Sequence, residues 1–340
     1  MFENDQNLNP YSISNPYRLH LNSSSDLITT YEETRAGFVA QALEKTRRAE
    51  PFIEEARSLK TIALQVKKPT ELLKISQIRP ALETAAGISD KSSNHISPEI
   101  KNDAVLTLIE HYLEPAGPNF VEELVFRFLL IRGDSLGGSI RNVISQWAEA
   151  KLSRAIISSL NNAGVDYYWL PKDNSRKWIK KPQSDAGIET LLKGISWSNG
   201  NKNRTLIYNL TIPFLEGEGK NVDLCVFNCS FREYTDRKSN GMKPTKTIPE
   251  AYIALGELKG GIDPAGSDEH WKTARSALVR IQEAFSKRRL SPSLFFVGAA
   301  IERSVSEDIW SRLENGTLQN AANLTKPDQL SSLCNWIYNI

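Results

Sequence analysis

Apolar residues recur near a helical 3.6-residue period through the first third of the chain, over residues 26–66 and again over residues 98–114. No run before residue 115 shows the alternation of a strand, and residues 1–25 are polar and rich in Asn, Ser and Pro. We therefore predict an irregular arm over residues 1–25 and a helical subdomain over residues 26–114.

From residue 115 onward, strand-like and helix-like runs alternate, which is typical of a mixed sheet flanked by helices. We therefore predict an α/β (mixed α+β) domain over residues 115–340. Its predicted strands cover residues 165–170, 193–197, 206–214, 222–227, 251–259 and 294–300. Its predicted helices cover residues 120–131, 140–163, 270–289, 301–313 and 330–340, and residues 314–327 are predicted to form a loop.

A glycine-rich segment at residues 132–138 stands between two of these helices, so we expect a loop there. Backbone N–H groups at such a loop can bind a phosphate or a carboxylate. The alternative is a helix–helix corner that needs glycine only for its backbone angles, and the sequence leaves both possibilities open.

The composition is that of an ordinary soluble globular protein. The 340 residues include 40% apolar and 24% charged residues, and the net charge is only +2. Affinity for a polyanion would therefore need a local basic surface. The three cysteines show no metal-ligand spacing, no run approaches the roughly 20 apolar residues of a membrane span, and the start lacks a signal-peptide pattern. These features predict a cytoplasmic protein with free thiols and no membrane segment.

Two carboxylates and a lysine form the candidate centre. Glu257 and Lys259 lie two apart at the end of a predicted strand, so their side chains point to the same face. Asp223 is an acid inside an apolar strand run, where a carboxylate is costly unless it is paired or binds a metal. Antiparallel pairing can bring Asp223 beside the other two. Such a set can hold Mg²⁺ through its carboxylates and stabilise charge on a phosphate through its lysine.

Each part of this set has an alternative. Glu257 and Lys259 can be a surface ion pair on a strand. Asp236 is the rival to Asp223, although it lies in a polar loop rather than in a strand.

Two loops concentrate positive charge, over residues 171–182 and residues 231–247, and the first also contains Trp178. Such segments can contact a DNA backbone, although a run of charge can also be only a solvated loop. The candidate contacts are Lys177, Lys180, Lys181, Arg237 and Lys243.

Two residues follow the candidate strand closely. His270 can accept a proton from an attacking water near neutral pH, or it can simply bond to Asp268 or Glu269 at the helix start. Asp263 can accept a hydrogen bond from a cytosine amino group in the major groove, or it can cap its own turn before Pro264.

The segment GELKGGIDPAGSDEHWKTA, residues 256–274, resembles the AvaI/BsoBI family of type II restriction endonucleases, within the PD-(D/E)xK nuclease superfamily. Family-like features also occur in GDSLGGSIRN, residues 133–142, and in GISDKS, residues 87–92. The resemblance implies a PD-(D/E)xK core sheet flanked by helices. It also gives the helical subdomain a part in embracing DNA and makes residues 115–340 the catalytic domain.

The resemblance also implies roles for single residues. Asp223 and Glu257 would bind Mg²⁺, and Lys259 would position water and phosphate. The sequence departs from the superfamily pattern at Val222, because a proline often precedes the first aspartate. His270 would lie near the active site.

The resemblance also implies that two further residues recognise DNA bases. The resemblance favours base reading by Asp263, with Lys91 as a weaker candidate for donating to guanine.

The resemblance further implies a homodimeric, Mg²⁺-dependent type II site-specific deoxyribonuclease that hydrolyses double-stranded DNA, because a two-fold protein mirrors a palindrome. The implied site is CYCGRG or a close variant, cut to leave 5′ overhangs, in the cytoplasm of a prokaryote that also holds the cognate DNA methyltransferase. One alternative is another nuclease of the superfamily that acts in repair or at junctions. The other is a DNA-binding protein whose acidic cluster is only structural.

Overall fold

The described part of the chain forms two compact units in the computed structural model. The sheet unit holds residues 15–38 and 144–340, and the helical unit holds residues 39–143. The structure describes residues 15–173, 175–216, 220–238 and 243–340.

The helical unit is built from long and short helices around an apolar core. Helix α1 (Tyr31–Ala63) and helix α5 (Phe120–Asn162) each contribute part of their length to it. Between them lie α2 (Arg79–Ala85), α3 (Asp90–Ser93) and α4 (Pro98–Leu108), the last continued by a π-helical turn, Ile109–Leu113. Leucine, isoleucine, valine and phenylalanine side chains from these helices fill the core, with no strand among the described residues of the unit.

The sheet unit contains one sheet, which the described residues build from eight strands: β1 (Tyr167–Pro171), β2 (Ile179–Lys180), β3 (Leu192–Asn199), β4 (Lys202–Thr211), β5 (Asn221–Phe227), β6 (Tyr252–Lys259), β7 (Ser293–Gly298) and β8 (Asn320–Asn323). Their order across the sheet is β2-β1-β3-β4-β5-β6-β7-β8. Neighbours pair antiparallel from β2 through β6, whereas β6, β7 and β8 are parallel. This mixed sheet with flanking helices confirms the predicted fold class.

Helices cover both faces of the sheet. Helices α7 (Ser267–Ser286) and α8 (Arg303–Glu314) pack on one face, and α9 (Pro327–Asn339) and the end of α5 pack on the other. The short helix α6 (Ile188–Leu191) precedes β3. Neighbouring strand residues point to opposite cores: Cys225 lies in the core under α7, and Leu224 lies in the core under α5.

Two predictions about local structure are wrong. Residues 132–138 do not form a loop, because α5 runs without interruption through them. Each glycine costs a helix about 1 kcal/mol, but long helical sequences on both sides propagate through the segment. It therefore offers no helix start for a phosphate. Residues 314–327 contain β8, which is buried along its length and pairs with β7.

The predicted functional division of the chain stays a prediction. Residues 39–114 of the predicted helical subdomain fall in the helical unit, and residues 144–340 of the predicted catalytic domain fall in the sheet unit. Residues 1–14 of the predicted arm lie outside the described residues. No helix in the described ranges is both long and apolar enough to cross a membrane.

Candidate active site

Strand pairing places the three candidate catalytic side chains together. Leu224 on β5 pairs with Gly256 on β6 in antiparallel register, so the next step along both strands brings Asp223 beside Glu257. Lys259 lies two residues beyond Glu257 and therefore shares its face of the sheet. The period of two predicted this juxtaposition.

Hydrogen bonds join the three side chains. The Lys259 ammonium donates to Glu257 Oε2 at 2.7 Å and to Asp223 Oδ2 at 2.9 Å. The backbone N–H of Leu258 also donates to Asp223 Oδ2, at 2.9 Å. Asp223 is therefore held by the strand of Glu257 as well as by the lysine. No sequence pattern indicates the Leu258 contact, because every residue type except proline can supply a backbone donor.

Glu257 is only 3% exposed, which is unusual for a carboxylate. Burial, and then the negative charge of Asp223, raise the pKa of the Glu257 carboxyl to about 7. Burial alone would lower the pKa of Lys259, but the charges of Glu257 and Asp223 outweigh it and raise that pKa. The group is therefore an electrostatically coupled site with one cation and two acids.

The arrangement fits a hard divalent cation. Glu257 Oε1 is buried and has no hydrogen-bond partner among the described residues, so this oxygen is free to accept a metal ion. Asp223 supplies a second carboxylate beside it. No group of three or more His, Cys, Asp or Glu side chains that could hold a metal occurs in the part of the chain that the structure describes. Two carboxylates are available at this place, and water could complete the shell of an ion that they bind.

Two glycines that follow Lys259 permit close packing around the site. A Cβ built at Gly260 would lie 2.6 Å from Cβ of Ala148 and 2.9 Å from the carbonyl oxygen of Ile144, both on α5. A Cβ built at Gly261 would lie 2.6 Å from Nε2 of His270. Helix α5 and the His270 imidazole therefore pack against the backbone that leaves β6.

His270 lies in the first turn of α7, half-buried, with its ring over Gly261 and Gly266. The imidazole forms no hydrogen bond with the described residues, so the alternative of a bond to Asp268 or Glu269 is not observed. Asp268 instead pairs with Lys272 at 2.5 Å. A role for His270 in catalysis stays a prediction.

The two candidate base-reading residues occupy different units. Asp263 is exposed, and its Oδ1 accepts a hydrogen bond from the N–H of Ala265 at 3.0 Å. The turn-capping role is thus present, and it leaves the second carboxylate oxygen for another partner. Lys91 is exposed on α3 in the helical unit. Base reading by either residue stays a prediction.

Asp166 and Glu149, which lie outside the first basic loop, partly neutralise it by pairing with Lys180 and Lys172. Lys180 pairs with Asp166 at 3.0 Å, and Lys181 lies over the Tyr167 ring at 5.8 Å. Trp178 packs near Phe231 and Tyr234 rather than presenting a free aromatic face. Lys177, by contrast, is exposed, and it forms no ion pair with the described residues.

The second basic loop lies partly outside the described residues, at 239–242. Arg237 and Lys243 on either side of this gap are exposed. Asp236, the rival to Asp223, forms an ion pair with Arg176 at 3.2 Å and is not part of the Glu257–Lys259 group. DNA contacts by these loops stay predictions.

Comparison with known proteins identifies the family. A family model described as Restriction endonuclease BsobI matches residues 17–340. The chain is 52% identical over 325 residues to the type II restriction enzyme AvaI of Nostoc sp. (strain PCC 7120), covering 96% of this chain and 100% of that protein. It is 51% identical over 327 residues to the type II restriction enzyme BsoBI of Geobacillus stearothermophilus, covering 96% and 98%. The chain belongs to the BsoBI restriction endonuclease family.

Proposed function

We propose that the protein is a type II restriction endonuclease that hydrolyses both strands of double-stranded DNA at a short palindromic site, with Mg²⁺ as cofactor. The observation that carries this proposal is the hydrogen-bonded group of Asp223, Glu257 and Lys259 at the junction of β5 and β6. The similarity to the type II restriction enzymes AvaI and BsoBI supports the same activity, since the chain covers nearly all of both proteins.

Type II restriction endonucleases generally need a divalent metal ion, and the two carboxylates suit Mg²⁺. Asp223 and Glu257 would hold this ion, with the unpartnered Oε1 of Glu257 as one ligand atom. When bound, Mg²⁺ would acidify a water molecule and offset negative charge on the scissile phosphate.

Lys259 supplies the positive charge that the protein itself brings to the reaction. Its ammonium is held by two carboxylates and is only 19% exposed, so it keeps its proton and one fixed position. From there it can hold the attacking water or a phosphate oxygen and stabilise the charge that develops in the transition state. His270 is the candidate acceptor for the proton of that water.

The remaining parts of the proposed function are recognition of the DNA site and assembly of a homodimer. Asp263 leaves the catalytic strand on a short turn, so one rigid element can carry both base reading and chemistry. A homodimer would place one such element on each half of a palindrome. We propose CYCGRG or a close variant as the site, cut to leave 5′ overhangs. A DNA methyltransferase of the same prokaryotic cytoplasm would protect the host's own sites.

The test is a digest of a genome of known sequence, followed by sequencing of the fragment ends. We expect discrete fragments in Mg²⁺, none in EDTA, and ends that share one palindromic sequence with a 5′ overhang. Discrete fragments with a different palindrome would correct the site but keep the enzyme class. Cleavage without sequence preference would indicate another nuclease of the superfamily, and specific binding without cleavage would indicate a DNA-binding protein.

A further inference from the structure

The β4–β5 ladder skips one position, and that position faces the catalytic aspartate. Tyr208 pairs with Leu224 and Leu210 pairs with Val222, so Asn209 stands opposite Asp223 without a ladder pair between them. Asn209 also has a φ of 52°, in the left-handed region, although it lies inside a strand. A non-glycine residue in this conformation is uncommon, and Asn tolerates it better than most residues.

The left-handed conformation turns the Asn209 side chain away from the catalytic face. Its Nδ2 donates to Oε1 of Glu149 on α5 at 2.6 Å. Oε2 of the same Glu149 accepts from Lys172 Nζ at 2.9 Å. Helix α5 packs on the opposite face of the sheet from Asp223, so these contacts fix the Asn209 side chain on that opposite face.

The residues of β4 also stop alternating regularly between the two faces of the sheet near Asn209. Ile207 and Leu210 both lie in the core under α7, although they are three positions apart. In a regular strand, residues an odd number apart point to opposite faces. Tyr208, between them, lies in the other core, so the alternation changes between Tyr208 and Leu210. The paired part of β5 changes at the same place, because Val222 and Cys225 also both lie in the core under α7.

The consequence is that the Asn209 side chain does not stand beside Asp223. In a regular antiparallel ladder, directly opposite side chains share a face with their Cβ atoms about 4.5–5.5 Å apart. A side chain from position 209 would then stand against the Asp223 carboxylate, where a metal ion and a phosphate must approach. The left-handed turn removes that side chain and leaves Asp223 with its contacts to Leu258 and Lys259.

We propose that Asn209 is a positioning residue for the reaction, which keeps the space beside Asp223 clear by its left-handed conformation. The proposal rests on the proposed nuclease function. Strained backbone of this kind persists where the surrounding structure over-determines it, and here the Glu149–Lys172 pair holds the Asn209 amide in place. The space, rather than the amide itself, is what the reaction needs.

Substitutions of Asn209 separate the effect of its left-handed backbone from the effect of its hydrogen bond to Glu149. Asn209→Gly loses the bond to Glu149 but adopts positive φ freely and adds no side chain. Asn209→Val resists positive φ and favours a regular ladder, which would return a side chain to the Asp223 face. Asn203→Val is the matched control, because Asn203 lies in the same strand at a regular ladder position opposite Ser198.

Two readouts are needed. The first is the single-turnover cleavage rate in Mg²⁺ on a duplex that the wild-type protein cuts, with the Kd for that duplex measured in Ca²⁺. The second is the amide NMR signal of ¹⁵N-labelled Leu258 in metal-free protein, because that N–H donates to Asp223. The NMR signal reports the position of the carboxylate without relying on activity.

We expect Asn209→Val to shift the Leu258 signal and to lose about 100-fold in cleavage rate, as for a 1 Å misplacement of a catalytic group, with little change in Kd. Asn209→Gly and Asn203→Val should keep the signal and cut within about threefold of wild type. Asn209→Ala, with an intermediate loss, replaces the valine variant if that one does not fold.

Three outcomes would overturn the proposal. The first is a folded Asn209→Val, or Asn209→Ala if valine does not fold, that cuts at the wild-type rate. The second is an Asn209→Gly variant that loses as much as valine, because the hydrogen bond and not the space would then matter. The third is a wild-type protein that cuts no DNA. Only that third outcome also removes the proposed function, so the two failures are distinguishable.

Discussion

Replacing Gly260 by alanine tests whether the packing beside Lys259 sets the geometry of the site. Gly260 has no positive φ, so alanine is permitted by the backbone, and only space decides the result. The added Cβ would meet Cβ of Ala148 at 2.6 Å and the carbonyl oxygen of Ile144 at 2.9 Å. Both atoms belong to α5, and the second is backbone, so neither can rotate away.

The required displacement follows from these distances. Ordinary van der Waals contact begins at 3.4 Å, so the contact with Ala148 is 0.8 Å too short and the contact with the Ile144 carbonyl is 0.5 Å too short. Overpacking of this kind costs about 1–3 kcal/mol of unfolding free energy. Since Lys259 is the adjacent residue, a shift approaching 1 Å would reach its ammonium and lower the cleavage rate by about 100-fold.

The assay compares single-turnover cleavage rates and thermal unfolding of Gly260→Ala with those of Gly137→Ala. Gly137 lies in α5, and apart from its own turn of helix no described atom lies within 4 Å of a built Cβ, so the same chemical change there has room. We expect Gly137→Ala to keep the rate and to gain about 0.5–1 kcal/mol of stability. A Gly260→Ala protein that cuts at the wild-type rate would refute the reasoning.

Three further predictions concern recognition, DNA backbone contact and pH. Asp263→Asn should keep the fold and lose about 1–3 kcal/mol of discrimination at one cytosine per half-site, measured by binding duplexes changed at each base pair; unchanged discrimination at every position would leave Asp263 as a turn cap only. Replacing Lys177 and Lys243 by glutamine should weaken binding to all sequences and reduce the log–log salt slope by about one per lost phosphate contact. An unchanged slope would show that neither lysine touches DNA. Burial lowers the pKa of His20, whose ring bonds to the Ala321 carbonyl at 2.8 Å, so its neutral form stabilises the fold. That contribution should be complete above pH 6.5 and should be lost as the pH falls from there toward the lowered pKa; thermal unfolding of His20→Gln should lack this step, and an identical pH profile would contradict the assignment.

Much of the sheet could be predicted because its strands have clear patterns. The runs around β4, β5, β6 and β7 are apolar and rich in β-branched or aromatic residues, and the structure has strands at each. The placement of Asp223 beside Glu257 and Lys259 followed from the period of two and antiparallel pairing. The pattern alone could not assign their chemistry, which stays a prediction until variants are measured.

Other features depend on partners that are distant in the chain. Strand β8 has the sequence Asn-Ala-Ala-Asn, which lacks strand-forming residues and becomes a strand by pairing with β7. The charge of the first basic loop is offset by Asp166, whose pairing with Lys180 no local pattern shows. The glycines inside α5 led to the prediction of a loop because glycine has a low helix propensity. The helix on both sides nevertheless continues through them.

The left-handed conformation of Asn209 also involves partners that are distant in the chain. An asparagine inside the apolar run Leu206–Ile212 is a poor strand residue, and this is the signal that could have indicated a break in the strand. The sequence could not show that the break faces Asp223, because that depends on the register between β4 and β5.

The most direct test of the central claim is the cleavage rate of Lys259→Ala in Mg²⁺, compared with wild type and with Lys272→Ala. Lys272 is a matched control, since it lies in the same family-like segment but forms an exposed pair with Asp268. We predict that Lys259→Ala stays folded, binds the cognate duplex in Ca²⁺ and loses at least about 100-fold in rate, whereas Lys272→Ala cuts normally. A folded Lys259→Ala protein that cuts within about threefold of the wild-type rate would contradict the assignment of Asp223, Glu257 and Lys259 as the catalytic centre.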